Sequence, residues 1–470
     1  LTNKQNLAER FSAYAAGLRY EDLPAVTVHE VKRRLLDTFG CAMGAWNSEP
    51  AAIARRLALR TSSTFPATVI GTKHRTSPET AAFANGVLFR YLDYNDTYLS
   101  KEPAHPSDNF AAVLAVAEPM NARGKEIITA ATLAYEIQCR LCDAASIRSR
   151  GWDHVTYGSF STSLAAGKLL GLDEVQLTHA QGLAGVPNNA MRQTRVGQLS
   201  HWKGCAFANA SRNGVFAALL AQDGMTGASD VFEGEMGFWK EVSGPFEVAE
   251  MGGQGVPFMI DRTYIKFYPA EYHSQSAIDA ALQLRPTLSD PEAIKKITIY
   301  SFDAAVEIIG SEPEKWHPTT RETADHSLPY CVVAALIDGK ITQDSFDSAH
   351  LNDPKLLALL AKSTVEADAK LNLRYPEGIP NRVTILLQDG QTLEKEVIFP
   401  RGHANNPMSD QEVEAKFRSQ AEPMLAPERV SEIIDRCWNL DQQTSIQSLL
   451  ALLEVSEDKI AQQEAGTAKQ

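Results

Sequence analysis

The chain has 470 residues, 44% of them apolar, with 45 basic and 58 acidic side chains and a formal net charge of −13. That length predicts two or three domains and a sizeable core. The acidic balance argues against nucleic acid as a partner, because phosphate binding needs a basic face. No apolar run reaches the ~18 residues of a membrane-spanning helix. An anionic small molecule stays compatible, since a pocket can be locally basic.

The opening, LTNKQNLAERF, has neither a Met nor a signal-peptide pattern, and reads as a trimmed or processed start. Amphipathic helices are predicted over 4–19 and 25–45, where Val28, Val31, Leu35, Phe39 and Ala42 recur at helical spacing. A short helix follows at 51–60 and a strand-like run at 67–70. Ser77-Pro78-Glu79-Thr80 is a helix start, with Pro at the first helical position. Further helices are predicted at 109–122, 125–147, 158–170, 173–185 and 203–222. Several are apolar around their whole circumference, which places them inside a large helical layer.

The text changes near residue 265. A helix at 270–284, a strand at 294–300 and a helix at about 325–338 precede two strands, 382–387 and 393–399. Asp389-Gly390 between those strands is a hairpin signal. Helices return at 409–421, 427–437 and 441–454, and a polar tail begins at about 456. The predicted class is mainly α: a large all-α domain built from both chain ends (1–267 plus 401–470) and a smaller inserted α+β lid domain (268–400). The six cysteines sit mostly in apolar helical text and read as reduced core thiols of an intracellular protein. Cys139 and Cys142 have CxxC spacing, but mid-helix and with no second pair.

One stretch stands apart. Residues 90–109, RYLDYNDTYLSKEPAHPSDN, hold Asp93, Asp96, Glu102, Asp108, His105, Thr97 and Ser107 between two apolar helices. Charges near a core must find partners, so such a loop is better explained by function than by a surface turn. Polar groups also concentrate at His154, at Arg192 and Arg195, at Lys203, and across Lys266-Phe-Tyr-Pro-Ala-Glu271-Tyr-His273 at the expected domain boundary, where ligand clefts are commonest. No HExxH, no paired CxxC and no Gly-x-Ser-x-Gly elbow occurs, and Gly252-Gly253-Gln254-Gly255 lacks the Lys-Ser/Thr of a P-loop. No ligand spacing supports a metal site. The titratable set suits proton transfer on a polycarboxylate. Removing a proton beside a carboxylate builds charge on an anion, which needs a tuned base and well-placed cations. Expelling a β-hydroxyl needs an acid as well. Histidines, Asp93, Lys203 and the arginines can supply these roles without metal or cofactor.

Tyr91-Leu-Asp93-Tyr-Asn-Asp96-Thr97, followed by His105-Pro-Ser-Asp-Asn109, resembles the signature of the MmgE/PrpD family. Similarity extends through Leu36-Asp-Thr-Phe-Gly40-Cys41, His154, Met191-Arg192, Arg195, Lys203, Tyr268-Pro-Ala-Glu271-Tyr-His273 and Asp325-His-Ser327 to Tyr330. The resemblance implies a homodimer of subunits with a large helical domain and a small α+β lid, and cofactor-free chemistry on a small-molecule tri- or dicarboxylate. Activities in the family include 2-methylcitrate dehydration, cis-aconitate decarboxylation and iminodisuccinate epimerisation. By resemblance, Asp93, Thr97, His105, His154 and Tyr330 are catalytic candidates, and Lys203 with Arg192, Arg195, Lys266, Glu271 and His273 are substrate-binding candidates. The decarboxylase pattern has a histidine directly after Pro-Ala, where this chain has Glu271, so the dehydratase branch is the leading expectation. A cytoplasmic location is expected, or the mitochondrial matrix for a eukaryotic source. A non-catalytic helical binding or scaffold protein is the contrasting reading.

Overall fold

A computed structural model describes residues 5–456 except 198 and 289. The protein is mainly α-helical with two small sheets. Its residues fall into two compact units. One contains the chain up to Thr194, Gly204–Thr263 and the chain from Ser409; the other contains Arg195–Lys203 and Tyr264–Met408.

The first unit is helical. It includes α1 (Leu7–Gly17), α2 (Ala25–Ala45), α3 (Glu49–Ala58), a two-residue pair of strands, β1 (Ala67–Thr68) and β2 (Arg75–Thr76), then α4 (Pro78–Arg90), α5 (Phe110–Ala117), α6 (Gly124–Ala144), α7 (Thr156–Leu169) and α8 (Glu174–Gly185). α9 (Trp202–Gln222) lies in this unit from Gly204 onward. Helices Asp410–Ala421 and Pro427–Trp438 complete it with the short Gln447–Leu452. The predicted helices are therefore present, with ends displaced where caps decide them. Asn6 caps α1 by accepting from Glu9 N–H, and Asp173 caps α8 by accepting from Gln176 N–H. The expected helix at 441–454 is shorter because a 3₁₀ turn occupies 440–442. The polar tail lies outside the described residues apart from its first residue.

α5, α6 and α7 are buried along almost their whole length. Such helices make the layer that the surrounding amphipathic helices cover. Phe160, Phe232 and Phe238 form an aromatic knot, with the Phe160 and Phe232 rings 4.5 Å apart. Each fully buried side chain of that size contributes on the order of 1.5–3 kcal/mol. The α2 layer also buries charge. Asp37 is paired with Lys416 at 2.7 Å, and Lys416 also donates to the Tyr94 carbonyl. The six cysteines are buried free thiols. Burial pushes Cys139 and Cys142 far above the usual thiol range, as inert core thiols require.

The second unit carries a four-stranded sheet in the order β4-β3-β5-β6, where β3 is Ile294–Ser301, β4 Ser363–Ala367, β5 Asn381–Leu387 and β6 Thr392–Val397. β5 and β6 form the expected hairpin, and Gly390 adopts φ +89° in its turn. α10 (Gln275–Leu284) packs on β5, β6 and helix Leu328–Asp338. β4, which pairs parallel to β3, and the preceding helix Pro354–Leu360 were not anticipated. No helix among the described residues is long and apolar enough to cross a membrane.

Candidate active site

The 90–109 stretch folds as a buried hairpin fastened to α6. Tyr98 and Ala104 exchange backbone hydrogen bonds at 2.8 and 2.9 Å, which folds the stretch on itself. Thr97 Oγ1 adds a bond to the Ala104 carbonyl. Tyr135 Oη donates to Asp96 Oδ2 at 2.7 Å. One turn further along α6, Gln138 accepts from Asn109 Nδ2 at 2.6 Å. Near its end, the Cys142 carbonyl accepts from Glu102 N–H, and Asp143 accepts from Tyr98 Oη. Positions 135, 138 and 142 share one helical face, so a single face of α6 holds both arms of the hairpin. Glu102 is spent on structure: its Oε1 accepts from Ser146 Oγ and from the N–H groups of Ile147 and Arg148.

α4 delivers Arg90 in its last turn, and the chain then leaves the helix with Asp93 in the left-handed region at φ +51°. Non-glycine residues rarely adopt that conformation, although Asp tolerates it. It places the Asp93 carboxylate directly on the Arg90 guanidinium, with both residues buried. Arg90 Nε also lies 3.8 Å from Asp108 Oδ2. Burial pushes the Asp108 carboxyl up to about 8, against the pull of Arg90 and the Asn95 hydrogen bond. Burial likewise raises Asp96, against Arg34, Tyr135 and Ser107.

His105 is the less buried partner of this cluster, its side chain 12% exposed against 1% for Asp93. Its Nδ1 lies 2.9 Å from the Asp96 carbonyl and its Nε2 3.9 Å from Asp93 Oδ1. The His154 ring is 6.0 Å away, centroid to centroid. His154 is presented just ahead of α7, with Nδ1 2.7 Å from Asp153 Oδ1. That turn is tied to the Arg192 segment: Asp153 N–H donates to Ala190 O, and Arg192 N–H donates to Gly151 O. Where α9 begins, Gly204 packs closely on Tyr91: a Cβ there would stand 3.1 Å from the Tyr91 Cα, so that the neighbour would have to give by a few tenths of an ångström.

The second unit has its own charged cluster. Lys203 is buried, with Nζ 3.8 Å from Asp325 Oδ1 and 3.3 Å from His326 Nδ1. Arg195 Nη1 donates to the Lys203 carbonyl. Glu271 N–H donates to the Asp325 carbonyl, and the Glu271 carboxylate accepts from His273 N–H and lies 2.7 Å from His273 Nδ1. Burial opposes ionisation of Glu271, but His273, His326 and Lys266 outweigh it and hold the carboxyl at about 2. Burial similarly opposes Asp325, while Lys203, His326 and Arg321 keep it below the usual range. Lys266 is fully buried. Tyr330 is buried and donates its hydroxyl to the Ser345 carbonyl at 2.8 Å.

The candidates thus divide. Asp93, Thr97, His105, His154 and Arg192 belong to the first unit, and Arg195, Lys203, Lys266, Glu271, His273 and Tyr330 to the second. Arg90, Asp96, Tyr135, Asp325 and His326 are not among the candidate site residues of the sequence, although Arg90 and Asp96 lie in the 90–109 stretch and Asp325-His326 in the family resemblance, ahead of the Ser327 cap. Tyr135 looked like ordinary apolar helix text.

These features define a mainly α-helical protein with buried, paired carboxylates, histidines and cations. The MmgE/PrpD N-terminal domain model matches residues 9–251 and the MmgE/PrpD C-terminal domain model residues 268–440, so the chain belongs to the MmgE/PrpD family. It is 30% identical over 421 residues to the 2-methylcitrate dehydratase of Cupriavidus necator, covering 82% of this chain and 84% of that protein. It is 28% identical over 428 residues to the 2-methylcitrate dehydratase of Escherichia coli K12, with the same coverage. It is also 28% identical over 472 residues to the human cis-aconitate decarboxylase, covering 96% and 95%.

Proposed function

We propose that this protein is a cofactor-independent hydro-lyase that removes water from 2-methylcitrate or a similar tricarboxylate, giving 2-methyl-cis-aconitate. The observation that carries the reading is the His105–Asp93–Arg90 arrangement, with His154 6.0 Å from His105. His105 and His154 form the base and acid pair. One removes the proton beside a carboxylate; the other protonates the departing hydroxyl, so that C–H and C–O bonds break, a C=C bond forms and water leaves. Asp93 stabilises the imidazolium that His105 becomes if it takes the proton, while Arg90 pairs with the Asp93 carboxylate and fixes its position. Lys203, Arg192, Arg195 and Lys266 supply positive charge for substrate carboxylates. Glu271 and His273 set which carboxylate is accepted. Thr97 and Tyr330 donate their hydroxyl protons to backbone carbonyls and keep lone pairs to accept from substrate.

The reading includes the division expected from the sequence, with 268–400 inserted as a lid domain between 1–267 and 401–470. It also includes a homodimer, a cytoplasmic or matrix location and a role in propionate catabolism. A decarboxylase acting on cis-aconitate is the second reading, favoured by the near-complete coverage of the human relative. Glu271 speaks for the dehydratase, because a carboxyl held at about 2 stays ionised and delivers no proton at neutral pH. His105→Ala and Lys203→Ala are each expected to abolish turnover with unchanged circular dichroism; full activity in both sinks the site assignment. A tricarboxylate that binds raises the melting temperature by mass action, whereas a scaffold protein shows no such rise.

A further inference from the structure

Asp96 touches the 105–107 segment twice. Its backbone carbonyl lies 2.9 Å from His105 Nδ1, and its carboxylate accepts from Ser107 N–H at 2.9 Å through Oδ1. The other carboxylate oxygen is held by Tyr135 Oη at 2.7 Å, with Arg34 Nε 3.9 Å away. Asp96 and Tyr135 are fully buried. A carbonyl oxygen only accepts, so the His105 nitrogen facing it must carry the hydrogen. In the neutral ring, Nε2 is then the nitrogen that carries the lone pair. It is also the nitrogen facing Asp93. The arrangement follows the general rule that the hydrogen bond made by one imidazole nitrogen decides the chemistry of the other.

We propose that Asp96 is a positioning residue that locks His105 in the Nδ1–H tautomer. The effect on rate rests on the proposed elimination for the chemical step, but the tautomer claim does not. Asp96 needs both of its contacts. The carbonyl selects the tautomer, while the carboxylate, anchored by Tyr135 on α6, holds the His105–Ser107 arm against that carbonyl. Loss of the anchor leaves the carbonyl in place chemically but frees the ring to turn, so Nε2 and Nδ1 compete for the proton. A displacement of about 1 Å at a reacting group costs on the order of 100-fold in rate.

The test is made on the full chain with ¹⁵N-labelled histidine, using long-range ¹H–¹⁵N correlation to read each ring nitrogen and His105→Gln to assign His105. The wild type is expected to show His105 protonated on Nδ1 and unprotonated on Nε2 above its titration. Asp96→Ala is expected to mix the tautomers and to lower kcat on 2-methylcitrate about 100-fold, with KM within about twofold. Tyr135→Phe, which removes the anchor and keeps the packing, is expected to do the same in smaller measure. Asp96→Asn retains an acceptor for Ser107 N–H and offers its amide to the Tyr135 hydroxyl, so it is expected to recover the tautomer and most of kcat. If Asp96→Ala does not fold, Tyr135→Phe and Asp96→Asn carry the comparison. A wild-type His105 protonated on Nε2, or an unchanged tautomer and kcat in Asp96→Ala and Tyr135→Phe, overturns the proposal. A protein inactive on tricarboxylates whose His105 still shows the Nδ1–H form, released in Tyr135→Phe, supports the positioning role while refuting the proposed reaction.

Discussion

Arg90 and Asp93 are paired at the end of one helix, both buried, and the pairing depends on Asp93 adopting φ +51°. The left-handed residue turns the chain so that the carboxylate folds back onto the helix that has just ended. The oxygen that pairs with Arg90, Asp93 Oδ1, also lies 3.9 Å from His105 Nε2.

Breaking that pair is expected to be severe. Arg90→Met removes the guanidinium that pairs with Asp93 and that lies 3.8 Å from Asp108. Breaking a buried ion pair by removing one partner costs about 3–5 kcal/mol. Urea unfolding of the variant is expected to show a loss of that size, and a loss below about 1 kcal/mol contradicts the pairing.

Asp108 gives a pH dependence of definite sign. Its folded carboxyl, pushed up by burial to about 8, keeps a proton that the unfolded chain loses near 3.8. Its contribution to stability is fully present below about pH 4 and is lost as pH rises to 8, with a slope of up to ~1.4 kcal/mol per pH unit. Asp108→Asn removes that titration. Urea midpoints at pH 5, 6.5 and 8 are expected to show the wild type losing ground to the variant as pH rises; parallel profiles contradict this.

Glu271 works in the opposite direction. Its carboxyl is held at about 2, below its ordinary 4.5, because His273, His326 and Lys266 outweigh burial. The stability it contributes is present above 4.5 and is lost as pH falls through 4.5 towards 2. The gap in urea midpoint between wild type and Glu271→Gln is expected to be constant above about pH 5 and to narrow below 4.5. A gap that does not change across this range refutes the ion pairing.

Much of this protein was legible in its sequence, for identifiable reasons. The apolar helices read clearly because burial on all sides removes polar positions, and the hairpin read clearly because Asp389-Gly390 suits its turn. β4 did not, since its burial fades from Ser363 to the exposed Ala367 and leaves no alternation to detect. The 90–109 stretch announced itself by its titratable residues. Its anchor did not, because Tyr135 lies 39 positions from Asp96 in an apolar helix and only the fold brings them together. The same holds for Arg34, whose Nε bonds Thr263 across 229 positions.

The central claim is elimination of water, and product NMR on 2-methylcitrate, citrate and cis-aconitate tests it most directly. The expected result is the alkene product from 2-methylcitrate with water as the only by-product and no release of CO₂. Release of CO₂ from cis-aconitate with no alkene formed from 2-methylcitrate would contradict it and place the decarboxylase reading first.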